Sequence, residues 1–304
     1  MKPSSSPASE KEGISRAQAW ILASRPKTLV AAFIPVAIGT SLAIRADSVQ
    51  ILPAVLCLLF AFLIQIGTNF ANDYFDHRKG ADTSERLGPQ RAVASGLIPP
   101  SIMLRATIFV LVLAFITGLG LLPYGGVPLL IVGIASLLCA IAYTGGPFPL
   151  AYLGLGDLFV VLFFGVIAVA FTQYVQTGVF TVQSWVAGLS IGLVINNLLV
   201  VNNYRDIEED TRSGKKTLAV RFGRVFSLWQ YGFQTTVAVA GLVILSPKNW
   251  LLWCIPALLY CLLQLKCLQA LQKSLTAQDY LRCLGTTARY VLLFGILLCV
   301  RILS

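Results

Sequence analysis

Val200-Val201-Asn202-Asn203-Tyr204-Arg205-Asp206-Ile207-Glu208-Glu209-Asp210 closes an apolar run that begins at Trp185 and contains no turn signal. The run is long enough to cross a bilayer as a helix, and the polar segment continues it. At 3.6 residues per turn, Asn202, Asp206 and Asp210 fall one above another on a single face. An amide and two carboxylates stacked at the mouth of a membrane helix form a hard, oxygen-rich surface that suits Mg²⁺. Gly214-Lys215-Lys216-Thr217 follows directly. A second such surface occurs earlier, where the apolar run 52–70 leads into Asn72-Asp73-Tyr74-Phe75-Asp76, with Asp82 six residues on.

The rest of the chain has the same membrane character. It is 304 residues long, 57% hydrophobic and 12% charged, with mean hydropathy +0.78. A soluble domain carries about 25% charged residues, so the composition predicts an integral membrane protein. The fold class expected is all-α: a polytopic bundle of about nine transmembrane helices around a central cavity opening to the cytoplasmic side. The spans are read at about 28–45, 51–74, 102–122, 126–143, 154–175, 184–202, 225–245, 250–268 and 288–303. Residues 1–15, rich in Ser and Pro, read as a disordered tail, and 16–304 as one transmembrane domain. The tail resembles neither a secretory signal nor a transit peptide, so a bacterial inner membrane is the expected location.

The net charge of +10 does not point to nucleic acid, because of where it falls. With the N-terminus inside, all but Arg45, Lys248 and Arg301 of the 23 Lys and Arg lie in inner segments. The positive-inside rule then puts both acidic helix ends on the cytoplasmic face. The seven cysteines form no Cys-x-x-Cys pair and mostly sit in apolar runs, which excludes a disulfide framework or zinc site. His77 is the only histidine, so a His-based triad lacks material.

Three further segments bear on the site. Arg25 and Lys27 stand just before the first span, as membrane anchors or as cations at the mouth of an anion site. The stretch 143–152, Tyr-Thr-Gly-Gly-Pro-Phe-Pro-Leu-Ala-Tyr, is uncharged on the side where charge abounds, so it is expected to pack over something apolar. Asp157, alone at the head of the next span, reads either as an intramembrane functional carboxylate or as a helix N-cap.

Cost argues that the acidic ends are functional. A carboxylate at a helix centre in a bilayer costs roughly 2.5–3.5 kcal/mol. Asp73, Asp76, Asp206, Glu209 and Asp210 unpaired would cost on the order of 10 kcal/mol together. They must be solvated, paired or metal-bound, and eight of the 13 acidic residues gather in these two segments. Each acidic end is followed by cations: Lys79, Arg86 and Arg91, then Arg212, Lys215, Lys216 and Arg221. Carboxylates hold Mg²⁺, and Mg²⁺ with cations holds a phosphate-type anion. Gly214-Lys215-Lys216-Thr217 is not a P-loop, since Glu209 stands where the first glycine should be. A metal-held diphosphate beside an apolar channel points to a polyprenyl diphosphate.

The motifs resemble those of the UbiA superfamily of intramembrane aromatic prenyltransferases. Asn72-Asp73-x-x-Asp76-x-x-x-Gly80-x-Asp82 with Gly88-Pro89-x-Arg91 is similar to the menaquinone-pathway branch. So are Asn202-Asn203-x-Arg205-Asp206-x-x-x-Asp210-x-x-x-Gly214-Lys215-x-Thr217-Leu218, Tyr143-Thr144-Gly145-Gly146-Pro147 and Arg25-Pro26-Lys27-Thr28-Leu29. The ubiquinone-branch motif opens with Asp where Asn202 stands here. The resemblance covers nearly all of the chain after residue 20. It implies transfer of a polyprenyl group to 1,4-dihydroxy-2-naphthoate with loss of CO₂ and diphosphate, giving demethylmenaquinol, a step of menaquinone or phylloquinone biosynthesis.

It further implies Mg²⁺ at Asp76, Asp82, Asp206 and Asp210, with Lys215 among the catalytic groups. Asn72, Asn202, Arg91, Lys216 and Arg221 then contact the diphosphate side of the substrate. Tyr143, with Phe148, Tyr152 and Tyr74, offers aromatic faces to the allylic cation, and Arg25 or Lys27 holds the acceptor carboxylate. No general base stands out, since carboxylate loss or a diphosphate oxygen can make one unnecessary. Two alternatives remain. A sister enzyme using homogentisate, 4-hydroxybenzoate or a chlorophyll precursor would share this apparatus, and acceptor competition separates it. A transporter would place its carboxylates near the bilayer midplane in broken helices, whereas here they gather at one face.

Overall fold

The computed structural model describes residues 14–81, 88–245 and 250–304; Asp82, Arg86 and Lys248 lie outside the described residues, as does most of the N-terminal tail. Among the described residues the chain is helical without a strand. The helices are α1 (Arg16–Ser24), α2 (Pro26–Arg45), α3 (Ile51–Arg78), α4 (Pro100–Leu119), α5 (Leu122–Ala142) and α6 (Gly156–Val161). A π-helical turn (Leu162–Ile167) joins α6 to α7 (Ala168–Thr177). Then come α8 (Val182–Arg205), α9 (Ile207–Arg212), α10 (Leu218–Ile244), α11 (Trp250–Lys273) and α12 (Ala277–Leu303).

Eight segments are long and apolar enough to cross a membrane, and they match eight of the nine expected spans. The ninth, α10, has the length, but Gln230, Gln234 and Thr235 lower its mean hydropathy. Those side chains are buried inside the bundle, so α10 spends its polarity on its neighbours. The read starts at 126 and 225 lie beside Gly126 (φ 61°) and Gly223 (φ 82°), where α5 and α10 kink. The last helix begins eleven residues before the read start of 288, because a Thr276–Asp279 capping box starts it.

α8 is the spine of one half. It packs on α10, α12, α6 and the π turn, around a core that includes Ile38, Ile191, Leu242, Phe294 and Leu298. Small residues permit the approach: a Cβ on Gly188 would stand 2.8 Å from Val166 Cα, and one on Gly192 2.7 Å from the Val161 carbonyl. On the other side α2, α3, α4, α5 and the α6–α7 segment enclose an apolar cavity. It holds about 1250 Å³ of unfilled space, open mouths included. Its walls are almost wholly apolar, which suits a hydrocarbon chain rather than a polar ligand. Tyr143, Leu150 and Thr68 line it near the acidic helix ends, and Leu121, Leu129 and Phe171 line its remainder.

Candidate active site

Both acidic helix ends are built by one device. In each, a glycine with positive φ ends the helix four residues after an aspartate: Gly80 (φ 66°) after Asp76, Gly214 (φ 75°) after Asp210. The next N–H then turns back onto the aspartate's own carbonyl, Ala81 to Asp76 and Lys215 to Asp210, at 3.0 and 2.9 Å. The glycine N–H bonds one carbonyl further on, to His77 at 3.0 Å and to Thr211 at 3.2 Å. This is the glycine-terminated helix end that needs a left-handed residue. It fixes each carboxylate at the last turn and sends the following chain back across it.

In the second motif the helix is not continuous, as the sequence reading had it. α8 stops at Arg205, and Asp206 (φ −91°, ψ 12°) links it to α9. The break follows a bidentate pair, with Arg205 Nε 2.6 Å from Asp206 Oδ1 and Nη2 2.7 Å from Oδ2. The helical hydrogen bonds nonetheless run through it, from Asp206 N–H to Asn202 and from Asp210 N–H to Asp206, at 2.9 and 2.7 Å. The stacking of Asn202, Asp206 and Asp210 therefore survives in the backbone.

Lys215 joins the two motifs. Its Nζ lies 3.5 Å from Asp76 Oδ2 and 3.6 Å from Asp210 Oδ1. Arg91 reaches Asp76 Oδ2 at 3.4 Å, and the Tyr152 hydroxyl donates to Asp76 Oδ1 at 3.2 Å. Asn72 accepts from the Thr144 hydroxyl at 2.8 Å, and Lys79 Nζ donates to the Thr144 carbonyl at 2.7 Å. Lys79 also sits 3.9 Å from the centre of the Tyr152 ring, with Lys215 at 5.2 Å. Burial is the main reason the Lys79 amine is pulled below its ordinary value, opposed by Asp76 and assisted by Lys215. Asp210 is pushed up to about 6, chiefly by burial and then by Asp206, Asp76 and Glu209, with Lys215 opposing.

Asp73 has a different part from its neighbours in sequence. It is 1% exposed and accepts the backbone N–H groups of Ala92 and Val93 at 3.0 and 3.3 Å. It clamps the segment that carries Arg91 and so places that guanidinium on Asp76.

The uncharged stretch 143–152 packs over the motifs rather than only over apolar surface. Gly145 lies against the Phe75 ring, but the Thr144 and Tyr152 carbonyls take Lys79 Nζ and the Lys216 N–H. In this stretch backbone oxygens, not side-chain charges, meet a site cation and the chain that follows Asp210. Arg221 donates to the Leu153 carbonyl at 2.8 Å, and both Arg221 and Lys216 are otherwise exposed, so they brace this loop. Lys27 is exposed and away from the cluster. Phe148 is 73% exposed, and Tyr74 packs on Phe75 and under Arg78, so neither faces the cavity. Tyr143 does. Burial pushes its phenol up, and Asp157, Asp210 and Asp76 push it further, with Arg25 opposing. Tyr143 is thus a neutral hydroxyl on which charges of both motifs and of Arg25 act. Asn202 is half-buried, and its side chain makes no hydrogen bond among the described residues.

Asp157 is not an N-cap. Leu155 holds that position, and the Asp157 carboxylate, 9% exposed, accepts from Asn196 Nδ2 at 2.9 Å and Gln230 Nε2 at 2.6 Å. The Asp157 partners Asn196 and Gln230, and the contacts that Lys79 and Tyr152 make, have no signal in the sequence, because they join residues 39 to 76 positions apart in the chain.

The acidic atoms nearest Lys215 Nζ are hard oxygens, Asp76 Oδ2 and Asp210 Oδ1. Among the described residues no three acidic, His or Cys groups converge on one point. The carboxylates instead face one another as separate ends with a cation between. That arrangement fits Mg²⁺ ions shared with an anionic ligand rather than a closed protein cage.

Fold and site define a polytopic membrane protein whose paired acidic, cation-lined helix ends sit at the mouth of an apolar cavity. The chain belongs to the UbiA prenyltransferase family, whose model matches residues 32–284. It is 40% identical over 221 residues to the 1,4-dihydroxy-2-naphthoate octaprenyltransferase of Escherichia coli, covering 71% of this chain and 72% of that one. It is 38% identical over 242 residues to the protein of that name from Mycobacterium tuberculosis, covering 79% and 81%. A UbiA homolog from Archaeoglobus fulgidus, solved bound to GPP and Mg²⁺, shares the fold with a TM-score of 0.67. That match is at 14% identity and covers 93% of this chain and 99% of the other.

Proposed function

We propose that the chain transfers a polyprenyl group from a polyprenyl diphosphate to 1,4-dihydroxy-2-naphthoate, releasing diphosphate and CO₂ and giving demethylmenaquinol. The observation that carries it is Lys215 held between Asp76 and Asp210 at the mouth of the apolar cavity. A diphosphate head fits between two carboxylate ends only with metal ions, and its tail fits the cavity. The name shared by the bacterial relatives supports the acceptor. The pattern of Lys and Arg supports a cytoplasmic site in a bacterial inner membrane.

Asp76 on one side, and Asp210 with Asp206 and Asn202 on the other, would hold Mg²⁺, with Asp82 as a further ligand by its motif. Bound there, the metal neutralises the diphosphate as it leaves. The chain's own groups do the rest. Lys215, Lys79 and Arg91 are already aimed at that position, so little reorganisation accompanies the developing charge. Tyr152, under both ammonium groups, spaces Lys79 and Lys215 and orients Asp76. Tyr143 presents a neutral aromatic face at the cavity, suited to the allylic cation, and Arg25 beside it is placed to hold the acceptor carboxylate. The closed loop over the motifs excludes water that would otherwise capture the cation.

Membranes containing this protein alone, given a labelled polyprenyl diphosphate and either 1,4-dihydroxy-2-naphthoate or 4-hydroxybenzoate, test the acceptor. Product from the naphthoate alone is expected. Product from 4-hydroxybenzoate instead would keep the metal chemistry and discard the acceptor.

A further inference from the structure

Asp157 is a buried carboxylate that the metal and diphosphate chemistry does not use. Both of its amide donors, Asn196 from α8 and Gln230 from α10, bond the same oxygen, Oδ1. Among the described residues no other side chain donates to Oδ2. On the same two helices, three amide carbonyls have no donor among the described residues: Asn196 Oδ1, Asn197 Oδ1 and Gln234 Oε1. Asn196 and Asn197 are fully buried, and Gln234 is 7% exposed. Gln230 and Gln234, four apart on α10, share a face. Unmet buried acceptors cost free energy and call for an explanation. A carboxylate among unmet acceptors is complemented by a partner that brings O–H groups.

Asp157 adjoins the reaction chamber through Gly156 and Tyr143. Gly156, next to Asp157, lies against Tyr143: a Cβ built on it would stand 3.1 Å from the Tyr143 hydroxyl. Tyr143 lines the cavity, and Asp157 is the nearest in influence of the charges acting on its phenol, ahead of Asp210 and Asp76. Tyr143 thus stands between Asp157 and the two metal-binding ends.

We propose that Asp157 binds a ring hydroxyl of the acceptor and takes its proton as the new bond forms. This rests on the dihydroxynaphthoate reading above. The balance is complete within the substrates. The hydroxyl O–H bond breaks, its proton passes to Asp157, and the ring carbon that bears the carboxylate attacks the prenyl C1. The prenyl C–O bond breaks and diphosphate leaves with that electron pair. The ring is left with a ketone beside a carbon bearing a carboxylate. Loss of CO₂ returns the C–C electron pair to the ring, and the resulting naphtholate takes its proton back from Asp157. Asn196 and Gln230 hold the carboxylate in place, leaving Oδ2 for the hydroxyl.

Asp157→Asn keeps the shape and the amide neighbours, so binding of the polyprenyl diphosphate with Mg²⁺ serves as the check on folding. The expected result is a loss of ~100-fold or more in kcat, with KM for the diphosphate unchanged. The diagnostic is the pH profile. Wild-type rate levels off once Asp157 is ionised, whereas the variant's rate climbs about tenfold per pH unit as the acceptor ionises by itself. The groups facing Asp157 are Asn196, Gln230 and Tyr143, and of these only Tyr143 titrates, well above the assay range. Should Asp157→Asn not fold, Gln230→Leu decides: removing one donor to the carboxylate should move the acid limb to higher pH. A variant that is equally slow at every pH, or as fast as wild type, overturns the assignment, as does an unmoved limb in Gln230→Leu. No naphthoate product from the wild type would overturn the proposed activity, and this assignment with it.

Discussion

Asp73→Asn separates a structural carboxylate from the metal-binding ones only three residues away. Asp73 is 1% exposed and takes two backbone N–H groups, from Ala92 and Val93. Asparagine offers one acceptor oxygen and one donor nitrogen, so one N–H loses its charged partner and meets another donor. A hydrogen bond to a charged group contributes about 1.5–3 kcal/mol, and an unmet buried donor costs about 1–3 kcal/mol. These overlap, which leaves an expected destabilisation of about 2–4 kcal/mol. The segment carrying Arg91 then loosens, and Arg91 leaves Asp76. Thermal unfolding in detergent should show a lower Tm. Turnover should fall through a higher KM for the diphosphate, while the Mg²⁺ concentration giving half-maximal rate stays within about twofold. An unchanged Tm together with a lost Mg²⁺ response would make Asp73 a ligand and refute the clamp.

Other outcomes follow from the same geometry. Lys215→Met removes the cation between Asp76 and Asp210, so turnover should drop about 10²–10³-fold, while equilibrium binding of Mg²⁺ without substrate is not weakened. Asp210 sits near 6 in the metal-free protein, so Mg²⁺ binding should weaken as pH falls through 6, because protons compete for the carboxylate. The stability sign is opposite: a raised carboxyl favours the native state at low pH, so metal-free stability falls as pH rises from about 4 to 6. Calorimetry of Mg²⁺ binding at pH 5, 6 and 7 checks the first, and metal-free Tm from about pH 4 to 6 the second. Arg25→Ala should raise the acceptor KM with the diphosphate KM unchanged, whereas Lys27→Ala, at an exposed site, should alter neither by more than about twofold.

The parts of this protein that obey local rules could be read from sequence. The membrane spans follow from apolar length, and the stacked Asn202, Asp206 and Asp210 follow from the helical repeat, which the backbone hydrogen bonds preserve even through the break at Asp206. That break was not legible, because it sits at Asp206, where an ion pair with its own neighbour Arg205 accompanies a non-helical backbone. In the first motif the resemblance assigns metal to Asp76 and Asp82 and gives Asp73 no part; Asp73 turns towards Ala92 and Val93, a partnership set by the fold of the following loop. The blandness of 143–152 hid its role, since backbone carbonyls carry no sequence signal. Asp157 was visible as an isolated carboxylate, but its partners come from α8 and α10, and only their packing distinguishes a held carboxylate from a cap.

The most direct test of the account uses wild-type protein and the Asp210→Asn variant, matched for membrane level and Tm. Each would receive labelled polyprenyl diphosphate and 1,4-dihydroxy-2-naphthoate, with Mg²⁺ or with EDTA. The account predicts prenylated product from wild type with Mg²⁺, none with EDTA, and a loss of at least ~100-fold in the variant. Wild-type turnover that survives EDTA, or a variant that matches wild type, would contradict a metal-held diphosphate between the two helix ends.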